Sequence, residues 1–147
     1  MIPLFQEHDF WSTQPVPKYF EMVSETDYNK PIEVKTVSDV MAQPYPLPEG
    51  YEWTTVDLSD EETAKVVYTL LTDHYVEDSA GKFRFDYSIP FLRWALNPPG
   101  FYPEWIIAVK ATANNKLYAF ITAIPVHMVV NGIDIKMAEV NFLCVHK

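Results

Sequence analysis

The sequence has 147 residues, of which 48% are hydrophobic and 15% aromatic, enough to build one core. Its 20 acidic and 11 basic residues give a net charge of −9, which argues against a nucleic-acid or anionic-membrane role but not against a basic peptide partner. Cys144 is the single cysteine, so neither an internal disulfide nor a cysteine-rich metal site can form. The N-terminus lacks a signal-peptide pattern, and no apolar run is long enough to span a membrane, which predicts a cytoplasmic location.

Residues 1–50 carry many of the 12 prolines, which fix φ and remove backbone donors. This segment also contains aromatic residues, among them Phe10 and Trp11, that a disordered tail would seldom carry. We therefore expect an extended arm, residues 1–50, packed over another surface.

Regular structure is predicted from Tyr51 onward, starting with a strand at 51–53. Ser59 and Glu62 form a capping-box pattern ahead of apolar residues at helical spacing, so a first helix is expected to end near Thr72. A second, short helix is expected after Ser88, with Pro90 in its first turn and Pro98-Pro99-Gly100 beyond its end.

The remaining residues predict an antiparallel meander. Two strands, 105–111 and 117–130, flank an Asn114-Asn115 turn, and Asn131-Gly132 is a strong hairpin signal. The last strand, 138–147, reads as half-buried, with Val140, Phe142 and Cys144 on one face. Glu139 and Asn141 lie with Leu143 on the other face, as is typical of a strand that lines a site. Because the sequence stops there without a turn or cap, we expect only part of a fold.

Six segments in order resemble one family. They are FWSTQPVP (10–17), PYPLPEGYEW (44–53), HYVED (74–78), FRFDYS (83–88), WALNPPG (94–100) and NFLCVHK (141–147). They resemble segments of glycylpeptide N-tetradecanoyltransferase, the eukaryotic N-myristoyltransferase. The resemblance implies an α+β fold, the N-terminal half of a Gcn5-like (GNAT) acyltransferase, with residues 51–147 as part of the myristoyl-CoA-binding domain and the arm covering the acyl-CoA site.

The resemblance also implies the reaction, transfer of a myristoyl group from myristoyl-CoA to the N-terminal glycine amine of a protein. No cofactor and no metal are expected, with myristoyl-CoA as co-substrate. In the family, two backbone amides of the fourth strand bind the oxyanion, and the matching positions are Phe142 and Leu143. The family's own C-terminal carboxylate acts as the base, so a partner segment beyond this sequence is expected to remove the proton.

Further roles follow from the same resemblance. The acyl-CoA-binding positions would be Phe10, Trp11, Tyr75, Val76, Phe142, Leu143, Cys144 and Val145. The peptide-binding positions would be Val76, Asp78, Phe83, Phe85, Tyr87 and Asn141. Each has an ordinary alternative: core packing for the aromatic and strand residues, a satisfied amide for Asn141, and a solvated loop carboxylate for Asp78. Cys144 has no adjacent activating histidine and is not expected to be a nucleophile.

Two functions stay open from the sequence. The chain is the N-terminal part of an active N-myristoyltransferase, or it is a truncated, non-catalytic fragment of the same fold that binds acyl chains or proteins. A general acetyl-CoA transferase is disfavoured by the motifs. The four histidines, His8, His74, His127 and His146, have no metal-like spacing.

Overall fold

The computed structural model describes residues 9–16 and 32–147. Within them, Tyr45–Met128 together with Ile135–Lys147 form one compact unit, and Val129–Asp134 group with the described residues before Tyr45. The described part of that second unit contains 3₁₀ turns at Trp11–Thr13 and Val37–Asp39. Pro17 and Pro31, two of the prolines behind the predicted arm, lie outside the described residues.

The first unit contains a sheet and two helices. Strand β1 is Tyr51–Thr55, followed by helices α1 (Glu61–His74) and α2 (Ile89–Leu96). Strands β2 (Ile106–Ala111), β3 (Leu117–Val130) and β4 (Ile133–Val145) complete the described sheet, in the order β1-β2-β3-β4. The pairs β1/β2 and β2/β3 are antiparallel, so the predicted meander and the α+β class are confirmed.

The start of α1 differs from the prediction. The N-cap is Asp60, not Ser59, and its carboxylate accepts a hydrogen bond from the Thr63 N–H at 2.8 Å. Asp60 is favoured because it lies three residues before a free N–H of the first turn, and its charge suits the helix N-terminus. The helix also continues past Thr72 to His74.

The second helix begins where the sequence predicted. The Ser88 hydroxyl accepts from the Phe91 N–H at 3.4 Å, and Pro90 lies in the first turn, where its missing N–H costs nothing. Within α2, Arg93 donates to the Leu58 carbonyl at 2.6 Å and to the Glu61 carboxylate at 2.9 Å. These bonds tie α2 to the start of α1.

One apolar core joins the helices to the sheet. It contains Val67 and Leu71 from α1, Leu92 from α2 and Phe120 from β3, none more than 1% exposed. Each such side chain contributes about 1.5–3 kcal/mol on burial. Phe142 and Cys144 of β4 belong to the same core, which fixes the end of the last strand against α1.

Turns between strands follow from residue type. Asn131 and Gly132, between β3 and β4, have φ of 49° and 79°, the left-handed values that a two-residue hairpin turn requires. Asn115, before β3, has φ of 58°. β2 begins at Ile106, one residue later than predicted, because Trp105 ends a 3₁₀ turn that starts at Pro103.

Candidate functional site

The end of β4 departs from regular strand geometry at one residue. Phe142 has φ of 56°, a left-handed conformation that costs a non-glycine residue about 1–2 kcal/mol. Its side chain is nevertheless buried, at 4% exposure, whereas Val140 is 61% exposed. The predicted alternation, with Val140 and Phe142 on one inward face, is therefore wrong before Phe142. From Phe142 on it holds, because Leu143 and Val145 are exposed on either side of buried Cys144.

Asn141 connects this irregular residue to its surroundings. Its side-chain oxygen accepts from the Phe142 N–H at 2.8 Å and from the Tyr75 hydroxyl at 3.4 Å. Its backbone carbonyl accepts from the Thr122 hydroxyl of β3 at 3.1 Å. The amide at 142 thus points toward the side-chain oxygen of its neighbour, and three elements of the unit meet at this point.

An aromatic cluster surrounds Phe142. The Tyr87 ring packs edge-on against Phe142 with centroids 5.2 Å apart, and Tyr75 lies at 5.9 Å. Tyr87 in turn stacks with Phe85 at 5.6 Å and with Phe91 at 5.2 Å. Burial raises the pKa of the Tyr75 hydroxyl, which keeps this group a neutral hydrogen-bond donor.

The described structure places most of the predicted peptide-binding aromatic residues together. Phe85 and Tyr87 join the cluster, and Phe85 keeps 54% of its surface exposed, so it is available to a ligand. Phe83, at 76% exposure, lies in a short hairpin, residues 76–85, in which Glu77 and Arg84 form an isolated β-bridge. Val76, on the other arm of that hairpin, is 53% exposed and accepts from the Phe85 N–H through its carbonyl.

The Asp78 side chain accepts hydrogen bonds from the backbone of that hairpin's loop. Its carboxylate accepts from the backbone N–H groups of Lys82 and Phe83, both at 2.7 Å, and of Ala80 at 3.2 Å. The Phe83 bond is the main cause of a pKa below the usual range for this carboxyl. Asp78 therefore holds the loop in shape, and its charge is shared with three amides. Next to it, Glu77 pairs with Arg84 and Lys147.

A cavity of about 540 Å³ opens beside Phe142. Its walls are mostly aromatic and apolar, with a small number of polar groups, as in many ligand pockets. The lining includes Tyr87, Phe91, Trp94, Ile124, Phe142 and the polar residues Thr122, Glu139 and Asn141. Thr122, Glu139 and Trp94 were not predicted as site residues. Glu139 carried a signal because it shares a strand face with Asn141, and Trp94 begins the WALNPPG segment of the family resemblance.

The predicted acyl-CoA positions are in different environments. Cys144 is 3% exposed, contacts the Leu70 carbonyl through its sulfur at 3.7 Å, and has a pKa raised by burial, which fits an unreactive core thiol. Val145 is 60% exposed. Phe10 and Trp11 lie in the other unit, where their rings contact each other edge-on at 4.9 Å.

Metal-binding clusters and membrane-spanning helices are both absent from the described residues, 9–16 and 32–147. No group of three or more histidine, cysteine or acidic side chains is placed to hold a metal ion in these ranges. In the same ranges, no helix is long and apolar enough to cross a membrane.

The fold and the site define an α+β domain in which an irregular last strand borders an aromatic-walled cavity. A family model described as myristoyl-CoA:protein N-myristoyltransferase, N-terminal domain, matches residues 31–147. The chain therefore belongs to the N-myristoyltransferase family, as its motifs predicted.

Relatives and solved structures agree with this result. The glycylpeptide N-tetradecanoyltransferase of Dictyostelium discoideum is 50% identical over 140 residues, which cover 95% of this chain and 33% of the relative. Glycylpeptide N-tetradecanoyltransferase 1 of Arabidopsis thaliana is 48% identical over 141 residues, which cover 95% of this chain and 32% of the relative. A crystal structure of Saccharomyces cerevisiae N-myristoyltransferase with bound myristoyl-CoA matches with 41% identity and a TM-score of 0.83, covering 95% of this chain and 31% of that one. The chain spans about a third of the length of these proteins.

Proposed function

We propose that this chain is part of an enzyme that transfers a myristoyl group from myristoyl-CoA to the N-terminal glycine amine of proteins. In that enzyme it supplies the acyl-CoA-binding surface and the amides that bind the oxyanion. Membership of the family supports the reaction class. The structural observation that carries the proposal is the left-handed Phe142 in β4, beside a cavity.

The chemistry explains why such a residue matters. The amine attacks the thioester carbonyl, a C–N bond forms, and a tetrahedral oxyanion develops before the C–S bond breaks and CoA leaves as its thiol. In a regular strand, successive N–H groups point in opposite directions. A left-handed residue interrupts that alternation and lets neighbouring amides converge on one anion. We assign this role to the amides of Phe142 and Leu143, at about 2.7–4 kcal/mol for each donor. The Phe142 N–H donates to the Asn141 side-chain oxygen in the described structure, so it would exchange that acceptor for the oxyanion during the reaction.

The amine must lose a proton before attack. We assign the removal of this proton to a part of the enzyme beyond this sequence, as the resemblance to the family implies. The Glu139 carboxylate lines the cavity and gives it a negative charge that suits an incoming ammonium group.

The peptide would lie against the exposed Phe83 and Phe85 and the half-buried Tyr87, between Val76 and Asn141. Phe85 and Tyr87 form a stacked pair at 5.6 Å, a flat apolar surface of the kind that binds a peptide side chain or backbone. Asp78 would contribute its charge at longer range, because its oxygen atoms already accept three N–H groups.

The acyl-CoA would contact Tyr75, Val76 and the stretch from Phe142 to Val145, with Cys144 acting through its backbone. We assign residues 1–50 to an arm that covers CoA through Phe10 and Trp11, and residues 51–147 to part of a GNAT-like domain. A buried tail of about fourteen carbons is worth roughly 10 kcal/mol at ~0.8 kcal/mol per methylene, so pocket depth sets the chain-length preference.

The test joins this chain in frame to the rest of the Dictyostelium discoideum relative and assays transfer from myristoyl-CoA to a glycine-initiated peptide, with the 147-residue chain alone in parallel. The proposal expects turnover by the fusion and none by the chain alone. Turnover by the chain alone would refute the assignment of the base. Myristoyl-CoA binding without turnover in the fusion would favour the non-catalytic, binding function, and a preference for acetyl-CoA would indicate a general acetyltransferase.

A further inference from the structure

Two histidines that are far apart in the sequence meet at the end of the sheet. His74 is the last residue of α1, and His146 follows β4; their ring centroids lie 4.0 Å apart. The backbone N–H of Lys147 donates to Nδ1 of His74 at 3.2 Å. A ring nitrogen accepts a hydrogen bond only when it carries no proton, so this bond requires a neutral His74 with its proton on Nε2.

The contacts of His146 require the opposite tautomer. Nε2 of His146 lies 3.0 Å from the ammonium nitrogen of Lys116. An ammonium group only donates, so Nε2 must accept. Nδ1 of His146 lies 2.6 Å from the Lys147 carbonyl oxygen, which only accepts, so Nδ1 must donate. His146 is therefore neutral as well, with its proton on Nδ1.

The charges around His74 also oppose its protonation. Burial and the neighbouring His146 ring lower the pKa of His74, Arg84 and Lys116 act in the same direction, and Asp73 acts against them. The acidic Glu77 next to the pair is already bound by Arg84 and Lys147. The other charged groups that share a cavity of about 320 Å³ with the two rings are Glu62 and Lys65 of α1, which pair with each other at 2.9 Å.

We propose that His74 and His146 form a proton-operated latch, which fastens the residues after β4 to the end of α1 only while both rings are neutral. Protonation of His74 places an N–H against the Lys147 N–H. Protonation of His146 places an N–H against the Lys116 ammonium. Either event removes an acceptor and adds a positive charge near Lys116 and Arg84, so acidification opens the latch.

Opening the latch frees Lys147 but leaves the end of β4 held by two further contacts. Between Phe142 and His146, the Cys144 sulfur contacts the Leu70 carbonyl at 3.7 Å, a weak contact. The His146 N–H also donates to the Tyr118 carbonyl at 2.8 Å. With the latch open, the Lys147 amide becomes free to exchange with solvent while β3 and β4 stay paired. The inference does not require acyl transfer by this chain.

The test is NMR on the uniformly ¹⁵N-labelled chain from pH 5 to pH 8. Ring ¹⁵N shifts at high pH are expected to show the Nε2–H tautomer for His74 and the Nδ1–H tautomer for His146. The protection factor of the Lys147 amide, which is normalised for intrinsic exchange, is expected to fall about tenfold for each pH unit below the His74 pKa, because the neutral fraction falls by that factor.

Two variants separate the latch from general acid effects. In His74→Asn, the side-chain oxygen can accept the Lys147 N–H in place of Nδ1 and does not titrate, so the protection is expected to persist at low pH. His127→Asn removes an exposed histidine of β3 and is expected to behave like the parent chain. The reverse tautomers in the parent, or the same loss of protection in His74→Asn as in the parent, would overturn the proposal.

Discussion

The side-chain oxygen of Asn141 lies 2.8 Å from the backbone nitrogen of Phe142 and accepts its hydrogen bond. The same oxygen lies 3.4 Å from the Tyr75 hydroxyl, so two donors converge on a neutral amide oxygen. This arrangement places a polar, uncharged group directly beside the amide that we assign to oxyanion binding. The neutrality of Asn141 is the property that matters, because a fixed negative charge at this point would oppose a developing oxyanion.

Asn141→Asp tests this requirement. Aspartate keeps an acceptor for both donors but adds a negative charge about 4 Å from the reacting oxygen, which costs roughly 4 kcal/mol at an effective dielectric constant near 20. In the fusion enzyme, the single-turnover rate is expected to fall by on the order of 10²–10³, with little change in myristoyl-CoA affinity. Asn97→Asp adds the same charge elsewhere on the cavity wall and is the matched control. A rate unchanged in Asn141→Asp would contradict the oxyanion assignment.

Phe142 gives a stability prediction that does not depend on activity. In an ordinary strand, glycine is less stable than alanine by about 0.5–1 kcal/mol. At Phe142, with φ of 56°, alanine bears the left-handed cost and glycine does not. We expect Phe142→Gly to be more stable than Phe142→Ala by about 0.5–1 kcal/mol in urea unfolding.

The same two substitutions at Cys144 are the control for the Phe142 variants. Cys144 is also buried in β4 but is not among the positive-φ residues of the described chain. Cys144→Ala is expected to be more stable than Cys144→Gly, the usual order. If alanine were the more stable residue at both positions, the left-handed conformation of Phe142 would be wrong.

Local sequence patterns predicted most of the fold because they act over a few residues. Asn131-Gly132 supplied the two left-handed positions of the hairpin, and Ser88 with Pro90 marked the start of α2. The same local patterns could not choose between Ser59 and Asp60 as the cap of α1. Both lie three residues before an N–H of the first turn, and the structure uses Asp60, whose carboxylate accepts from the Thr63 N–H.

The parts of the site that the sequence did not predict arise from tertiary structure. Phenylalanine rarely adopts positive φ, so the residue type at 142 gave no sign of the left-handed conformation. The family resemblance indicated only a role for the amides of Phe142 and Leu143. Trp94 and Thr122 reach the cavity because α2 packs beside β3 and β4. The His74–His146 contact joins the end of α1 to the residues after β4. These residues are too far apart in the sequence for a local spacing pattern to predict the contact.

Phe85→Ala tests the peptide surface. The Phe85 ring stacks on Tyr87 and is 54% exposed, so its loss removes ligand contact without opening a large core cavity. An aromatic contact of about 0.5–1.5 kcal/mol corresponds to a peptide affinity weakened roughly 2- to 12-fold. Isothermal titration of the fusion enzyme with each ligand is expected to show a smaller change for myristoyl-CoA. Equal losses for both ligands would point to core damage instead.

The N-cap of α1 predicts a specific dependence of stability on pH. Hydrogen bonds from the Thr63 hydroxyl and N–H lower the pKa of Asp60 below its ordinary value of 3.8. Because the pKa is lower in the folded state than in the unfolded state, the unfolded chain binds the proton more tightly. The stabilisation is therefore complete above about pH 4 and is lost as the pH falls through the folded-state pKa.

Asp60→Asn separates the charge from the cap, since asparagine also caps helices well but does not titrate. Thermal unfolding followed by helix circular dichroism is expected to show a shallower fall in Tm between pH 5 and pH 2 for Asp60→Asn than for the parent. Asp60→Ala is expected to have a lower Tm than both near pH 7, because the Thr63 N–H loses its acceptor. Asp86→Asn, which removes an exposed carboxylate outside the helices, controls for the change in net charge. A parent and an Asp60→Asn variant with parallel pH profiles would show that the Asp60 charge does not stabilise α1.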